Sequence, residues 1–172
     1  MPTLPSLIAI GLGSNLGPRE RQLAAAVRAL VMVVSEIKVG GLYESAPLGG
    51  AAQPRYLNSA LVGRTRLSPE PLLTVLKFLE RRAGRARGPR WGSRTLDLDL
   101  LLHGDEVSTR PELTLPHPRL RSRNFVLAPL ADIAPDLAVP PDGTTVAALL
   151  ARVGIEDLAR REWSEALPGV GR

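Results

Sequence analysis

The sequence predicts an α+β fold, a ferredoxin-like β-α-β-β-α-β sandwich with C-terminal additions. Three observations predict it. Short apolar runs of strand length, bounded by Gly, Pro and Asn, stand at 6–11, 37–44, 56–67 and 95–102. Two segments between them repeat apolar residues at helical spacing. Their order along the chain is strand, helix, strand, strand, helix, strand. At 172 residues the chain suits a single domain with its own core, here placed at about 6–140, with an extension at about 141–172.

Each element has its own warrant. Ser6 to Gly11 is a short buried strand, and the "GLGSNLG" after it reads as a turn into a helix. Pro18 can open that helix, with Leu23, Val27, Leu30 and Val34 as its core stripe. Ile37 to Glu44 is the second strand. The loop "SAPLGGAAQP" leads to the third, Tyr56 to Leu67. Ser68 and Pro69 are start signals for a helix whose stripe is Leu72, Leu76, Leu79 and Ala83. Lys77, Glu80 and Arg81 fall on a different face of it. The segment 84–93 holds three Gly and a Pro, which predicts a mobile loop. The fourth strand follows. The rest reads as a Pro-rich crossover near "LTLPHPRL", a short helix at Phe125 broken by Pro129, a helix at Val146 to Val153, and a loosely packed end from Gly154.

Composition excludes several classes. There is no cysteine, so neither disulfides nor thiolate metal sites are available. Two histidines, His103 and His117, are few for zinc. No basic leader precedes the first apolar run, and no run is long enough to span a membrane. A cytoplasmic location is expected. The net charge is +5, and twenty of the 22 cationic side chains are arginine. Arg85, Arg87, Arg90 and Arg94 cluster within ten residues, which points to a phosphate-bearing partner.

The chemistry concentrates in "RWGSRTLDLDLLLHGDEV". Strand side chains alternate, so Asp97 and Asp99 share one face while Leu96, Leu98 and Leu100 share the other. Two adjacent carboxylates repel and call for a positive partner. A solvated strand face is the plain alternative, but such faces seldom repeat Asp, and Arg90 and Arg94 lie just upstream. Paired carboxylates suit Mg²⁺ that takes its remaining oxygens from a phosphate, and arginine adds bidentate phosphate contacts. In "RYLNSALV", Tyr56 and Asn58 share a strand face: a ring to stack on a heterocycle and an amide to read its edge. "LPHPRLRSRNF" gathers His117, Arg119, Arg121, Arg123 and Phe125. "GLGSNLG" is not a dinucleotide loop, because GxGxxG from Gly11 needs glycine where Leu16 stands. A P-loop and a GxSxG elbow are absent as well.

Together, "GLGSNLG", "LYESAPLGGAAQPRYLNSAL", "LERRAGRARGPRWGSRTLDLDLLLHG" and "LPHPRLRSRNFVLAPLADIAP" resemble the 6-hydroxymethyl-7,8-dihydropterin pyrophosphokinases of folate synthesis, over about residues 7 to 140. The resemblance implies the ferredoxin-like sandwich. It implies transfer of the terminal diphosphate of ATP to the pterin hydroxymethyl oxygen, which attacks the β-phosphorus and releases AMP. It implies that Asp97 and Asp99 hold two Mg²⁺ ions, with Arg85 and Arg94 as catalytic arginines. Tyr56 and Phe125 match the rings that sandwich the pterin, Asn58 the amide at its edge, and Ser45, Pro47 and Leu48 the pocket lining. Glu80, Arg87, Arg90, Trp91, Arg94, Leu100, His117 and Arg123 match contacts to ATP. Ser45 stands where Thr is familiar, Lys77 where Gln is, and Pro118 where an aromatic follows the histidine in some members. ATP and the pterin are the expected partners of a monomer, with neither nucleic acid nor membrane. An RNA-binding sheet is the rival class, but the sheet aromatics it needs are missing.

Overall fold

The computed structural model describes residues 4–47, 52–84 and 95–170. The first half of the chain gives β1 (Ser6–Ser14), α1 (Arg19–Leu30), β2 (Ser35–Val39), β3 (Leu42–Ser45), β4 (Tyr56–Thr65) and α2 (Pro69–Arg82). The second half gives β5 (Asp97–His103), β6 (Ser108–Arg110), β7 (Leu113–Leu115), a 3-10 turn at Leu120–Ser122 and α3 (Asn124–Ile133). It ends with β8 (Ala138–Val139), β9 (Thr144–Thr145), α4 (Val146–Val153) and β10 (Ala159–Arg161).

The central sheet is antiparallel and runs β10-β3-β4-β1-β5, with β2 also paired to β4. Its two faces have separate cores. Ile8, Ile10 and Leu12 of β1 and Leu98 and Leu100 of β5 face α1 and α2, meeting Leu23, Val27, Leu30, Leu72 and Leu76. Ala9, Ala60, Val62, Leu101 and Leu102 face the other way, toward Val126, Leu127 and Leu130 of α3 and Leu149 of α4. A register shift between Ala9 and Ile10 leaves Leu101 without an opposite residue in β1, so Leu101 and Leu102 both reach the α3 side.

Several boundaries differ from the sequence reading, each for a physical reason. The second strand is two strands, interrupted at Gly40 and Gly41. A Cβ on Gly40 would collide with the carbonyl oxygen of Pro129, so α3 lies against bare backbone there. Pro129 does not break α3: it is buried inside the helix, whose apolar packing outweighs the one hydrogen bond it removes. β1 continues past Gly11 to Ser14, which puts Gly13 inside a strand instead of a turn. Val34 is buried but lies beyond the end of α1. The expected crossover contains the β6–β7 hairpin. α4 has the predicted bounds, and the Thr145 hydroxyl caps it by accepting from the N–H of Ala148 at 3.2 Å.

The end of the chain is not loosely packed. β10 pairs with β3, and the Trp163 indole donates to Gly40 O at 2.9 Å. Glu20 accepts from the backbone N–H groups of Ser164 and Glu165. Trp163, Leu167 and Val170 pack on the helix-side core.

Gly40→Ala should lower the unfolding free energy by about 1–3 kcal/mol, because backbone and not a flexible side chain must give way. Urea denaturation measures it, and an unchanged midpoint would mean that α3 is not pinned to the sheet at this residue.

Candidate functional site

One row of residues crosses the α3-side face of the sheet. Asp97 stands opposite Gly13, Gly13 opposite Asn58, and Asn58 opposite Tyr43. In the next row Asp99 stands opposite Gly11. Gly13 therefore leaves a spot without a side chain of its own between Asp97 and β4, whereas the Leu101 side chain covers Gly11. A Cβ on Gly13 would lie 3.5 Å from Asn58 Oδ1, 3.7 Å from Tyr56 Cδ1 and 4.0 Å from Asp97 Cβ. These three side chains surround one spot. That spot was missed in the sequence, although the alternation of Ile8, Ile10 and Leu12 with Ala9, Gly11 and Gly13 was there to be read.

On the β4 side, Asn58 is buried, and its side-chain N–H groups donate to Tyr43 O at 3.0 Å and Ser45 Oγ at 2.9 Å. A carbonyl only accepts, so Tyr43 O fixes which end of the amide is nitrogen. What Asn58 can offer a ligand is its oxygen, an acceptor. Tyr56 begins β4 beside it. Ser45, Pro47 and Phe125 line a groove of about 750 Å³, closed on one side by Val153, Asp157 and Ala159.

A second cavity, of about 280 Å³, lies on the other side of β5. Asp97, Asp99, Leu100, Glu80, His117 and Lys77 line it, together with Pro118 and Thr114. Glu80 is not on a solvated face of α2: it is buried and accepts the N–H of Leu98 at 2.9 Å. β5 is the last strand of the sheet, so alternate N–H groups lack a strand partner. Glu80 takes the one between the two aspartates.

The positive charge expected against the carboxylates includes Arg123, whose guanidinium lies 3.8 Å from Asp99 Oδ2 and 5.5 Å from the centroid of the Phe125 ring. His117 Nε2 lies 3.8 Å from Asp99 Oδ1. His117 is anchored by its own N–H to Leu101 O at 2.9 Å. Its Nδ1 accepts from the N–H of Arg119 at 3.2 Å, so the proton sits on Nε2, the nitrogen that faces Asp99. Burial, then the charges of Arg123 and Arg119, lower its pKa to about 4. At neutral pH it is an uncharged donor, and its approach to Asp99 is not an ion pair. His103 is placed elsewhere, with Nε2 at 2.9 Å from Leu67 O.

Leu48, Arg85, Arg87, Arg90, Trp91 and Arg94 lie outside the described residues, as does all but Gly84 of the 84–93 loop. The remaining expected site residues fall into three connected sets: Ser45, Pro47, Phe125 and Arg123 line the larger groove, Glu80, Asp97, Asp99, Leu100 and His117 line the smaller cavity, and Tyr56 and Asn58 stand with Asp97 around Gly13, Asn58 bonded to Ser45 and Arg123 near Asp99. Among the described residues no group of three or more His, Asp or Glu could hold a metal ion. No helix among these residues is long and apolar enough to cross a membrane.

The chain is thus a mixed α/β fold with an antiparallel sheet whose edge strand carries two carboxylates between two clefts. Residues 9–135 match the model of the 7,8-dihydro-6-hydroxymethylpterin-pyrophosphokinase family. The chain is 44% identical over 153 residues to the 2-amino-4-hydroxy-6-hydroxymethyldihydropteridine pyrophosphokinase of Pseudomonas aeruginosa, covering 88% of this chain and 94% of the relative. It is 45% identical over 126 residues to the Bacillus subtilis enzyme of the same name, covering 72% and 75%. A solved structure of Plasmodium falciparum HPPK-DHPS with pteroate shares the fold at a TM-score of 0.72 and 13% identity. That match covers 91% of this chain and 46% of the other, so the chain spans less than half of that protein. The chain belongs to the 7,8-dihydro-6-hydroxymethylpterin-pyrophosphokinase family, and it is an ATP-dependent pyrophosphokinase of folate synthesis.

The pKa of His117 makes a prediction. Its folded value of about 4 lies below its ordinary 6.5. Between those pH values the unfolded chain binds a proton that the folded chain excludes. This stability is whole above pH 6.5 and is lost as the pH falls toward 4. From pH 7 to pH 5 the loss should be about 2 kcal/mol. His117→Gln should remove that difference in urea unfolding at the two pH values. An equal loss in both proteins would mean that the imidazole is not held neutral.

Proposed function

We propose that ATP occupies the smaller cavity and the pterin the larger groove, and that the two meet over Gly13 beside Asp97 and Asp99. The observation that carries this is the position of the two aspartates. They line the ATP-side cavity, Asp97 sits across Gly13 from Tyr56 and Asn58, and Arg123 lies near Asp99 while also lining the groove.

Asp97 and Asp99 fit two Mg²⁺ ions by their chemistry: hard oxygen donors, few in number, leaving positions for phosphate and water. Such ions would neutralise phosphate charge and stabilise the leaving AMP. Every other role falls to the chain. Tyr56 and Phe125 hold the pterin between flat apolar faces. The Asn58 oxygen accepts from the donor edge of the pterin, and Ser45 keeps that amide oriented. Leu100 gives the adenine an apolar contact. Glu80 contacts the nucleotide in this reading, besides holding β5. His117 donates its Nε2 proton to a phosphate oxygen without bringing a charge, and Arg123 brings one. Arg85, Arg87, Arg90, Trp91 and Arg94 complete the ATP contacts, with Arg85 and Arg94 against the reacting phosphates. Pro47 and Leu48 close the pterin side.

With both ligands so held, the pterin hydroxymethyl oxygen attacks the β-phosphorus and gives up its proton to water. A new P–O bond forms there, the bond from the β-phosphorus to the oxygen bridging to the α-phosphate breaks, and AMP leaves with that electron pair. The residues lower the barrier mainly by alignment and charge complementarity. We also read the core as a ferredoxin-like sandwich. The strand order β5-β1-β4-β3, with α1 and α2 on one face, supports it.

Asp97→Asn and Asp99→Asn should each abolish AMP formation from ATP, Mg²⁺ and the dihydropterin, with stability unchanged or slightly raised without ligands, since one of two adjacent charges is gone. A coupled AMP assay and a thermal melt read the two effects. Near-normal turnover in either variant would remove the metal role.

A further inference from the structure

The family match ends at residue 135, yet residues 159–170 return to the sheet and bind its edge. One of their charges, Arg161, reaches β3. Its Nε and Nη2 donate to Glu44 Oε2 at 3.1 and 2.8 Å. The other oxygen of Glu44 accepts from Arg19 Nη1 at 2.9 Å. The same Arg19 nitrogen donates to Arg55 O at 2.7 Å. The Glu44 side chain is 12% exposed, and both its oxygens are taken by arginines, which hold its carboxyl below the usual range.

The position of this chain of contacts gives it meaning. Glu44 lies in β3 between Tyr43 and Ser45, the two residues that accept from the Asn58 amide. Arg55 immediately precedes Tyr56, which pairs with Ser45. Glu44 shares the α1 face of the sheet with Leu42, whereas Asn58 and Gly13 share the opposite face. The chain of contacts thus braces, from behind, the two strand ends that form the pterin slot. Arg19 is the first residue of α1, where a cation is disfavoured by the helix dipole. Helix stability therefore does not account for it; its two contacts to β3 and to Arg55 do.

We propose that Arg161, Glu44 and Arg19 are positioning residues for the pterin slot, so that the C-terminal segment, although remote from ATP, sets how well the slot is formed. The inference rests on the pterin reading of the groove given above. A slot that stacks a flat ring tolerates little error in spacing, and a brace that fixes Ser45 and Tyr56 together removes freedom that binding would otherwise have to remove. Nothing in the brace touches the smaller cavity, so its loss should act on one substrate only.

The test is steady-state kinetics on the full chain, with KM for each substrate measured at saturation of the other. Arg161→Met and Glu44→Gln should each raise the pterin KM about 5- to 20-fold and leave the ATP KM within about twofold, with Arg161→Lys partly restoring the pterin KM. The double variant should lose less than the product of the single losses, as coupled residues do. Tyr56→Ala is run beside them. If it raises the pterin KM selectively and Arg161→Met does not, the brace is scaffold only and the proposal falls while the pocket stands. If Tyr56→Ala moves both KM values alike, the pterin reading itself fails. If Glu44→Gln does not fold, Arg161→Met, which keeps the Arg19–Glu44 pair, decides alone: unchanged or parallel KM values overturn the proposal.

Discussion

Two carboxylates on one face of an edge strand are the constraint around which this molecule is arranged. A strand repeats every second residue, so "DLD" cannot place its acids anywhere but side by side. At a spacing of about 7 Å their repulsion is about 1–2 kcal/mol for an effective dielectric between those of water and a protein surface. That cost is accepted at a particular place. The opposite face of β5 presents Leu98 and Leu100 to the helix-side core, which holds the strand down. Glu80 fixes the backbone between the two acids from α2. The strand that carries the acids is therefore held from the helix side, by core packing and by Glu80.

The remainder of that face follows from where α3 begins. α3 and α4 cover the rows of Ala9, Ala60, Val62 and Leu102, and α3 begins its first turn at Asn124. That turn is where Arg123 and Phe125 stand, one near Asp99 and the other toward the groove. Tyr43 shows how closely cover and site are tied. Its hydroxyl donates to Asp132 of α3, while its carbonyl accepts from Asn58. A residue of the core thus orients a residue of the site.

Much of this was legible in the sequence, and the gaps have physical causes. The "TLDLDLLL" pattern placed acids and leucines on opposite faces because period two needs no tertiary information. The start of α2 was readable from its local start signals, Ser68 and Pro69. The break at Gly40 was not, since it depends on the approach of Pro129, 89 residues away in the chain. The bond from Leu98 to Glu80 was not legible either, because helical periodicity shows which face is apolar and not which strand edge lacks a partner. β10 has three residues, too few for any period, and its warrant is the edge of β3. Glycine inside "AIGLGSN" was taken for a turn because glycine more often marks one, whereas here its lack of a side chain is what the strand supplies.

The central idea is that the ligands meet over strand backbone left bare by Gly13. The measurement that addresses it most directly is AMP formation by Gly13→Ala, set beside its unfolding free energy. A methyl group there meets Asn58, Tyr56 and Asp97 at 3.5 to 4.0 Å, ordinary contact distances, so the variant should fold with stability within about 0.5 kcal/mol of the parent. It should nevertheless lose tenfold or more in kcat/KM for the pterin, because the methyl group occupies that spot. Full activity in a folded Gly13→Ala protein would contradict the idea and move the meeting point of the substrates elsewhere on the sheet.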